Sequence, residues 1–219
     1  LNGTSATSDS DGVTISGSTI TITKEGVYVF SGTLTDGTIV VEAEDTAKVQ
    51  IVLNNASITS STYAAIYAKT ADKVFITSAE GTSNYLTNGG SYSQKDDNNV
   101  DGVIFGKTDI VLNGSGSLTI NAKAGSGVVS KDDLKITGGN ISINAENKGL
   151  EAHDSIRITN ASIDITAGDD GIHAEDNDDS SVGYIYIKDG NITITAGDDG
   201  IHGTTETLIA GGSVTVNQS

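Results

Sequence analysis

Apolar residues recur at every second position in short runs, separated by glycine and small polar residues. Ile20-Thr21-Ile22, Val27-Tyr28-Val29, Ile39-Val40-Val41 and Ile51-Val52-Leu53 begin the series, and Ala65-Ile66-Tyr67-Ala68 followed by Val74-Phe75-Ile76 continues it. A period of two sends alternate side chains to opposite faces of an extended chain, so each run predicts a strand with one buried and one outward face. From Gly102 onward the runs fall into threes. Val103-Ile104-Phe105, Ile110-Val111-Leu112 and Leu118-Thr119-Ile120 form one set, and Gly127-Val128-Val129, Leu134-Lys135-Ile136 and Ile141-Ser142-Ile143 the next.

The same rhythm then carries a repeated phrase. GDDGIHA at Gly168–Ala174 returns as GDDGIHG at Gly197–Gly203, and a relaxed copy, ENKGLEA, spans Glu146–Ala152. Each copy precedes a strand triplet: Ile156-Arg157-Ile158, then Ile185-Tyr186-Ile187 after the second copy. Gly149 and Gly171 stand 22 residues apart, and the step to Gly200 is 29 because EDNDDSSVG at Glu175–Gly183 swells one corner. Equivalent strands of successive repeats must lie parallel, about 4.8 Å apart. The expected fold is therefore all-β, a right-handed parallel β-helix with three sheets and about 22 residues per turn. An antiparallel sandwich would need hairpin turns between paired strands and gives no reason for an identical phrase.

Residues 1–12, rich in Ser, Thr, Asp and Gly, predict a linker or frayed N-terminus. Residues 13–219 predict a single domain, with the polar segment 87–100 extruded as a loop. Ile, Val and Thr dominate over Leu, which favours strands, and 27 glycines without a proline imply many tight turns. The chain has no cysteine, which excludes disulfides and thiolate metal sites. A net charge of −17 argues against nucleic acid as a partner, and no apolar run is long enough to span a membrane. With no Met and no signal peptide, the sequence reads as a trimmed mature fragment, and a monomer is expected.

Aligning the repeats on their glycines yields columns. Asp101, Ser126, Lys148, Asp170 and Asp199 precede the glycine, and Val100, Gly125, Asn147, Asp169 and Asp198 stand one position earlier. Two carboxylates ~4.8 Å apart at an effective dielectric of ~20 repel by about 3 kcal/mol, so a chain that duplicates this clash points to a bound cation. Acidic oxygen ligands without cysteine select Ca2+ over zinc or copper. Asp169, Asp170, Asp198 and Asp199 are the principal candidates. Glu151 and Asp154 on one repeat, with Glu175, Asp176 and Asp178 on the next, form a second acidic group, and Asp96, Asp97, Asn99 and Asp101 a third. Asp-Asp-Gly is also an ordinary turn sequence, which is the competing reading.

His173 and His202 share a column with Glu151 and are expected outward, as metal ligands or contacts to sugar hydroxyls, with neutral ladder partners as the competing reading. A second outward column, Tyr28, Val52, Phe75, Val111, Lys135, Arg157 and Tyr186, sets two cations beside an aromatic ring. Lys135, Arg157 and Tyr186 thus make a candidate strip for a sugar acid, carboxylate on the cations and ring on the aromatic face.

GDDGIHA followed by strand triplets resembles the calcium-binding β-helix carbohydrate-binding domains of clostridial cell-surface proteins, a family similar in fold to polysaccharide lyase family nine. The resemblance is strongest from Asp101 to Val216. It implies a secreted or cell-surface binder of plant cell-wall polysaccharide, cellulose and polygalacturonate, with bound calcium. On motif grounds only Asp169, Asp170, Asp198, Asp199 and their glycines carry over. A calcium-dependent pectate lyase is the enzymatic alternative, and a structural or adhesive solenoid the third. The lyase needs a lysine or arginine base, and Lys148 or Lys131 beside so many carboxylates would be held protonated. Binding without catalysis is the reading favoured by the residues.

Overall fold

The computed structural model describes residues 1–218; Ser219, the end of the expected domain, lies outside the described residues. Among these residues the regular structure is entirely β. The strands form two sheets, one of fifteen strands and one of nine. In the larger sheet every pairing is parallel, and strands Asp109–Gly114, Asp133–Ile136, Ser155–Ile158, Tyr184–Ile187 and Glu206–Ile209 follow one another across it. Ser117–Ala122, Asn140–Ala145, Ala161–Ala167, Gly190–Ala196 and Ser213–Gln218 do the same on its other wing. The nine-stranded sheet is mixed, because Val13–Ser16 pairs antiparallel with Thr19–Ile22 before the parallel series begins.

The expectation of a right-handed parallel β-helix with three sheets is therefore corrected: there are two large sheets, and neither closes on itself. The strand Lys48–Ser60 is the cause, since its first half pairs with Lys73–Ser78 and its second half with Ser83–Asn88. Two strand series that the alternation treats as separate sheets are thereby one hydrogen-bonded sheet. Asn55, at φ 55°, turns this strand at its middle, and the neighbouring strand Gly26–Leu34 keeps pace with a register shift between Phe30 and Gly32. An extra residue of this kind bends a strand while pairing continues on either side.

One continuous core draws inward residues from both sheets, including Ile104, Val128, Leu150 and Ile172 from the smaller and Ile110, Leu134, Ile156 and Ile185 from the larger. Ile156, Ile158, Ile185 and Ile187 are all at most 1% exposed, as the alternation requires. Strand Gly26–Leu34 is an exception to the expected facing. Val27 and Val29 are 64% and 63% exposed, while Phe30 is buried and Tyr28 packs on the core. Period-two alternation fits either set of side chains, and a shift of one residue exchanges the faces.

The repeat glycines have a packing role rather than a conformational one. Gly149, Gly171 and Gly200 lie outside the left-handed region. A Cβ on Gly171 would sit 2.3 Å from Ile194 Cγ2 and 2.6 Å from the Gly200 carbonyl oxygen, and Gly149 meets Ile165 and the Gly171 carbonyl in the same way. At the N-terminus, the Leu1 ammonium donates to the Ser31 carbonyl at 2.7 Å, and Leu1 and Ala6 pack against the main core.

Candidate functional site

The outward side chains of the smaller sheet form one column whose character changes along its length. Tyr67, Phe105 and Val129 lead through register pairs to Glu151, His173 and His202. The aromatic end is covered. Tyr63, Tyr67, Val100, Phe105 and Val129 make a second buried cluster, closed by the segment before Val100. Gln94 donates to the Val100 carbonyl at 2.9 Å and accepts the Val100 N–H at 2.8 Å, while the Tyr67 hydroxyl donates to Asp96 at 2.8 Å. Burial, then the Asp96 charge, pushes the Tyr63 phenol up to about 12.

The acidic end is open. Ligand oxygens of Asp169, Asp170 and Asp198 lie within 4.8 Å of one another. Two oxygens on opposite sides of a calcium ion, at 2.3–2.6 Å each, are separated by about 5 Å at most, so this all-oxygen donor set fits one such ion. Lys148 donates to Asp169 Oδ2 at 3.1 Å and faces the same carboxylates. Burial pulls the Lys148 ammonium down, but the hydrogen bond to Asp169 and the charges of Glu151, Asp169 and Asp170 hold it above its ordinary value.

Asp170 and Asp199 do not share one role. The Asp199 N–H donates to Asp170 Oδ1 at 2.9 Å, and each aspartate then contacts the histidine three residues on: Asp170 Oδ2 to His173 Nδ1 at 2.5 Å, Asp199 Oδ2 to His202 Nδ1 at 3.0 Å. His173 also meets Glu175 through Nε2 at 2.9 Å, and its ring is buried rather than open to solvent. The Glu175 carboxyl is held below its usual range by Asn177 first and His173 second.

Asp101 falls out of the expected column. Gly102 pairs with Ser126, and the Ser126 N–H donates to the Asp101 carbonyl, which places Asp101 beside Gly125, one position early. Its Oδ1 is buried without a hydrogen-bond partner, and burial followed by the neighbouring Glu151 charge raises its carboxyl. Glu151 accepts from Ser126 Oγ at 3.2 Å and lies 3.6 Å from Lys131 Nζ.

The second acidic group gains a member that sequence reasoning missed. His153 Nδ1 lies 3.0 Å from Asp154 Oδ1 and 3.2 Å from Asp176 Oδ2. A histidine next to an aspartate, directly after the relaxed copy of the repeated phrase, is its one visible signal. Asp176 Oδ1 accepts the N–H groups of Asp179 and Asp178, which depress its carboxyl. Asp178 is exposed at the tip of the inserted corner and points no ligand atom into this group. A cavity of about 290 Å³ is lined by Lys131, Lys148, Glu151, His153, His173 and Asp176.

On the larger sheet, register brings Lys135, Arg157 and Tyr186 side by side. Val27 and Gln50, rather than Tyr28 and Val52, continue that column upstream. Arg157 is engaged by Asp133, which also accepts from Ser155 at 2.5 Å. Lys135 is exposed, and among the described residues no carboxylate lies within ion-pair distance of it.

Two open sheets of largely parallel strands, with carboxylates and histidines on one outer face, define a class, and the chain belongs to the carbohydrate-binding domain-containing protein family, whose model matches residues 16–219. A carbohydrate-binding domain-containing protein of Acetivibrio thermocellus is 42% identical over 137 residues, covering 62% of this chain. That match spans 48% of the relative, so the chain corresponds to about half of its length. A solved structure of a polysaccharide lyase-like protein from C. thermocellum, a gadolinium derivative, superposes with a TM-score of 0.89 at 36% identity, over 100% of this chain and 95% of that one. No helix among the described residues is long and apolar enough to cross a membrane.

Proposed function

We propose that this protein is a non-catalytic, calcium-containing module that binds plant cell-wall polysaccharides, cellulose and acidic pectin-type glycans, at an extracellular or cell-surface position. The observation that carries the reading is the convergence of Asp169, Asp170 and Asp198 beside a cavity that also presents Lys131 and Lys148. Three carboxylates would hold the ion, and a uronate would meet both the ion and the lysines. The family membership supports a polysaccharide partner. Lys135 on the larger sheet is the free cation of a second contact strip with Tyr186.

The lyase-like relative keeps an enzymatic reading in view, because lyase chemistry on polygalacturonate abstracts a proton next to the uronate carboxyl and needs a neutral base. Lys148 is held charged by Asp169, Glu151 and Asp170, which opposes that role. Pull-down on insoluble cellulose and on polygalacturonate, with calcium and with chelator, tests the proposal. Calcium-dependent retention on polygalacturonate without growth of unsaturated-uronide absorbance is the expected result. Steady growth of that absorbance would establish the lyase, and no retention on either polymer would leave a structural or adhesive role.

A further inference from the structure

We propose that the groove at the corner between the two wings of the larger sheet seats a neutral, extended glycan chain, apart from the carboxylates and lysines of the smaller sheet. The inference rests on the polysaccharide-binding reading and divides its two polymers between two surfaces.

The groove follows from how the chain turns. Five successive corners join the wings, and each has a residue in the left-handed region: Gly114, Gly139, Asn160, Gly190 and Gly212, at φ 103°, 103°, 53°, 129° and 84°. Such a backbone admits glycine or a short amide and little else. The corners therefore stay low, and together they leave a concavity of about 720 Å³. Its lining comes from all five repeats, so it runs along the stack for about 20 Å at the usual inter-strand spacing. An extended polymer fits that shape better than a compact ligand does.

Register sets Asn140, Ser162, Asn191 and Ser213 in one exposed row along the groove. Among the described residues none of these four side chains, nor that of Asn160, makes a hydrogen bond within the protein. Amides and hydroxyls both donate and accept, and so do sugar hydroxyls. The row thus offers one free polar group per repeat to a chain that carries hydroxyls at regular intervals.

Charge selects among glycans. Asp189 is the one charged residue in the described lining. The adjoining hollow of about 320 Å³ shares Asn140, Ser162 and Asn191 with the groove, and its one charged residue is Asp164. Both carboxylates repel a uronate, and no lysine or arginine lines either depression, so an acidic glycan is disfavoured. A peptide fits no better. Ala161 is the largest apolar side chain in the groove, and the flanking strands are paired on both sides up to the terminal repeat, which leaves no edge for strand addition. On the same wing, the row through Thr119, Ser142 and Asp164 also contains the exposed Tyr85, whose ring gives a pyranose an apolar face to rest on.

Binding isotherms of the intact protein on insoluble cellulose, with a short oligogalacturonate as competitor in calcium, test the proposal. Wild type should bind cellulose, and saturating oligogalacturonate should not displace it. Asn140→Ala combined with Asn191→Ala should weaken cellulose about tenfold, the scale of two lost neutral hydrogen bonds. The same variant should keep its urea unfolding midpoint and its retention on polygalacturonate, because neither amide has a partner inside the protein. Cellulose binding that survives the double substitution, yields to oligogalacturonate or is missing while polygalacturonate is retained would overturn the inference and leave the polysaccharide-binding reading standing. Wild type that binds neither polymer would overturn both.

Discussion

Lys148 reaches across one repeat to Asp169, Nζ to Oδ2 at 3.1 Å, and so places a fixed cation at the edge of the carboxylate cluster proposed to hold calcium. A resident ammonium competes with any added ion for the same oxygen. Replacing it with an uncharged side chain of similar length removes the competitor and leaves Asp169 to the ion.

Lys148→Met is accordingly expected to tighten calcium binding by roughly 3- to 10-fold, or ~1 kcal/mol, the scale of a partly exposed ion pair. Calorimetric titration at constant ionic strength measures it. Weaker calcium binding in the variant would mean that Lys148 organises the carboxylates instead of competing for them.

The glycine of the repeated phrase admits a sharper test than a turn residue would. Gly171→Ala introduces a Cβ 2.3 Å from Ile194 Cγ2 and 2.6 Å from the next repeat's carbonyl. Forced repacking of this kind costs about 1–3 kcal/mol, to be read from urea unfolding. A neutral substitution would show that adjacent repeats can move apart at no cost.

Position within the stack should set the value of an isoleucine. Ile158, Ile187 and Ile209 are register partners in one column, yet Ile158 is 1% exposed and Ile209, on the edge strand Glu206–Ile209, 48%. Ile158→Ala should destabilise by about 2–5 kcal/mol, and Ile209→Ala by less than about 1 kcal/mol because little of its surface leaves water. Equal losses in chemical denaturation would imply that something else covers the terminal strand.

Much of this arrangement is legible in the residues, and the failures are instructive. Two near-identical copies of GDDGIH specify the pairing of His173 with His202, and of Ile172 with Ile201, because like sequences in parallel register must align. The sheet count was not legible. It depends on a single left-handed residue, Asn55, that lets Lys48–Ser60 bend without breaking. The strand Gly26–Leu34 reads equally well with either face inward, and the Tyr28 hydroxyl, donating to the Lys24 carbonyl, accompanies the choice the chain makes. Asp101 was aligned on a glycine, but the backbone pairs Gly102 with Ser126, an offset that spacing alone does not reveal. His153 escaped notice because its partners come from its own repeat and from an insertion in the next.

That same offset makes Asp101 a sensitive probe of pH. Its Oδ1 is buried without a partner, and burial together with the Glu151 charge raises its carboxyl above the usual range. The folded chain therefore binds this proton more tightly than the unfolded chain does. Stability from this group is complete below the ordinary carboxylate value, falls as pH rises through the window up to the raised folded value, and stays lower beyond it. Asp101→Asn removes the charge and keeps the shape, so it should raise the melting temperature at neutral pH. The gain should shrink as pH falls and vanish below about pH 4, where the wild-type carboxyl is protonated in both states. Melting curves of the two proteins across that range, in chelator, make the comparison. A constant difference at every pH would assign the effect to packing, and a destabilised variant at neutral pH would mean that the Asp101 charge is compensated by Lys131 and Lys148, which face it from the adjoining repeats.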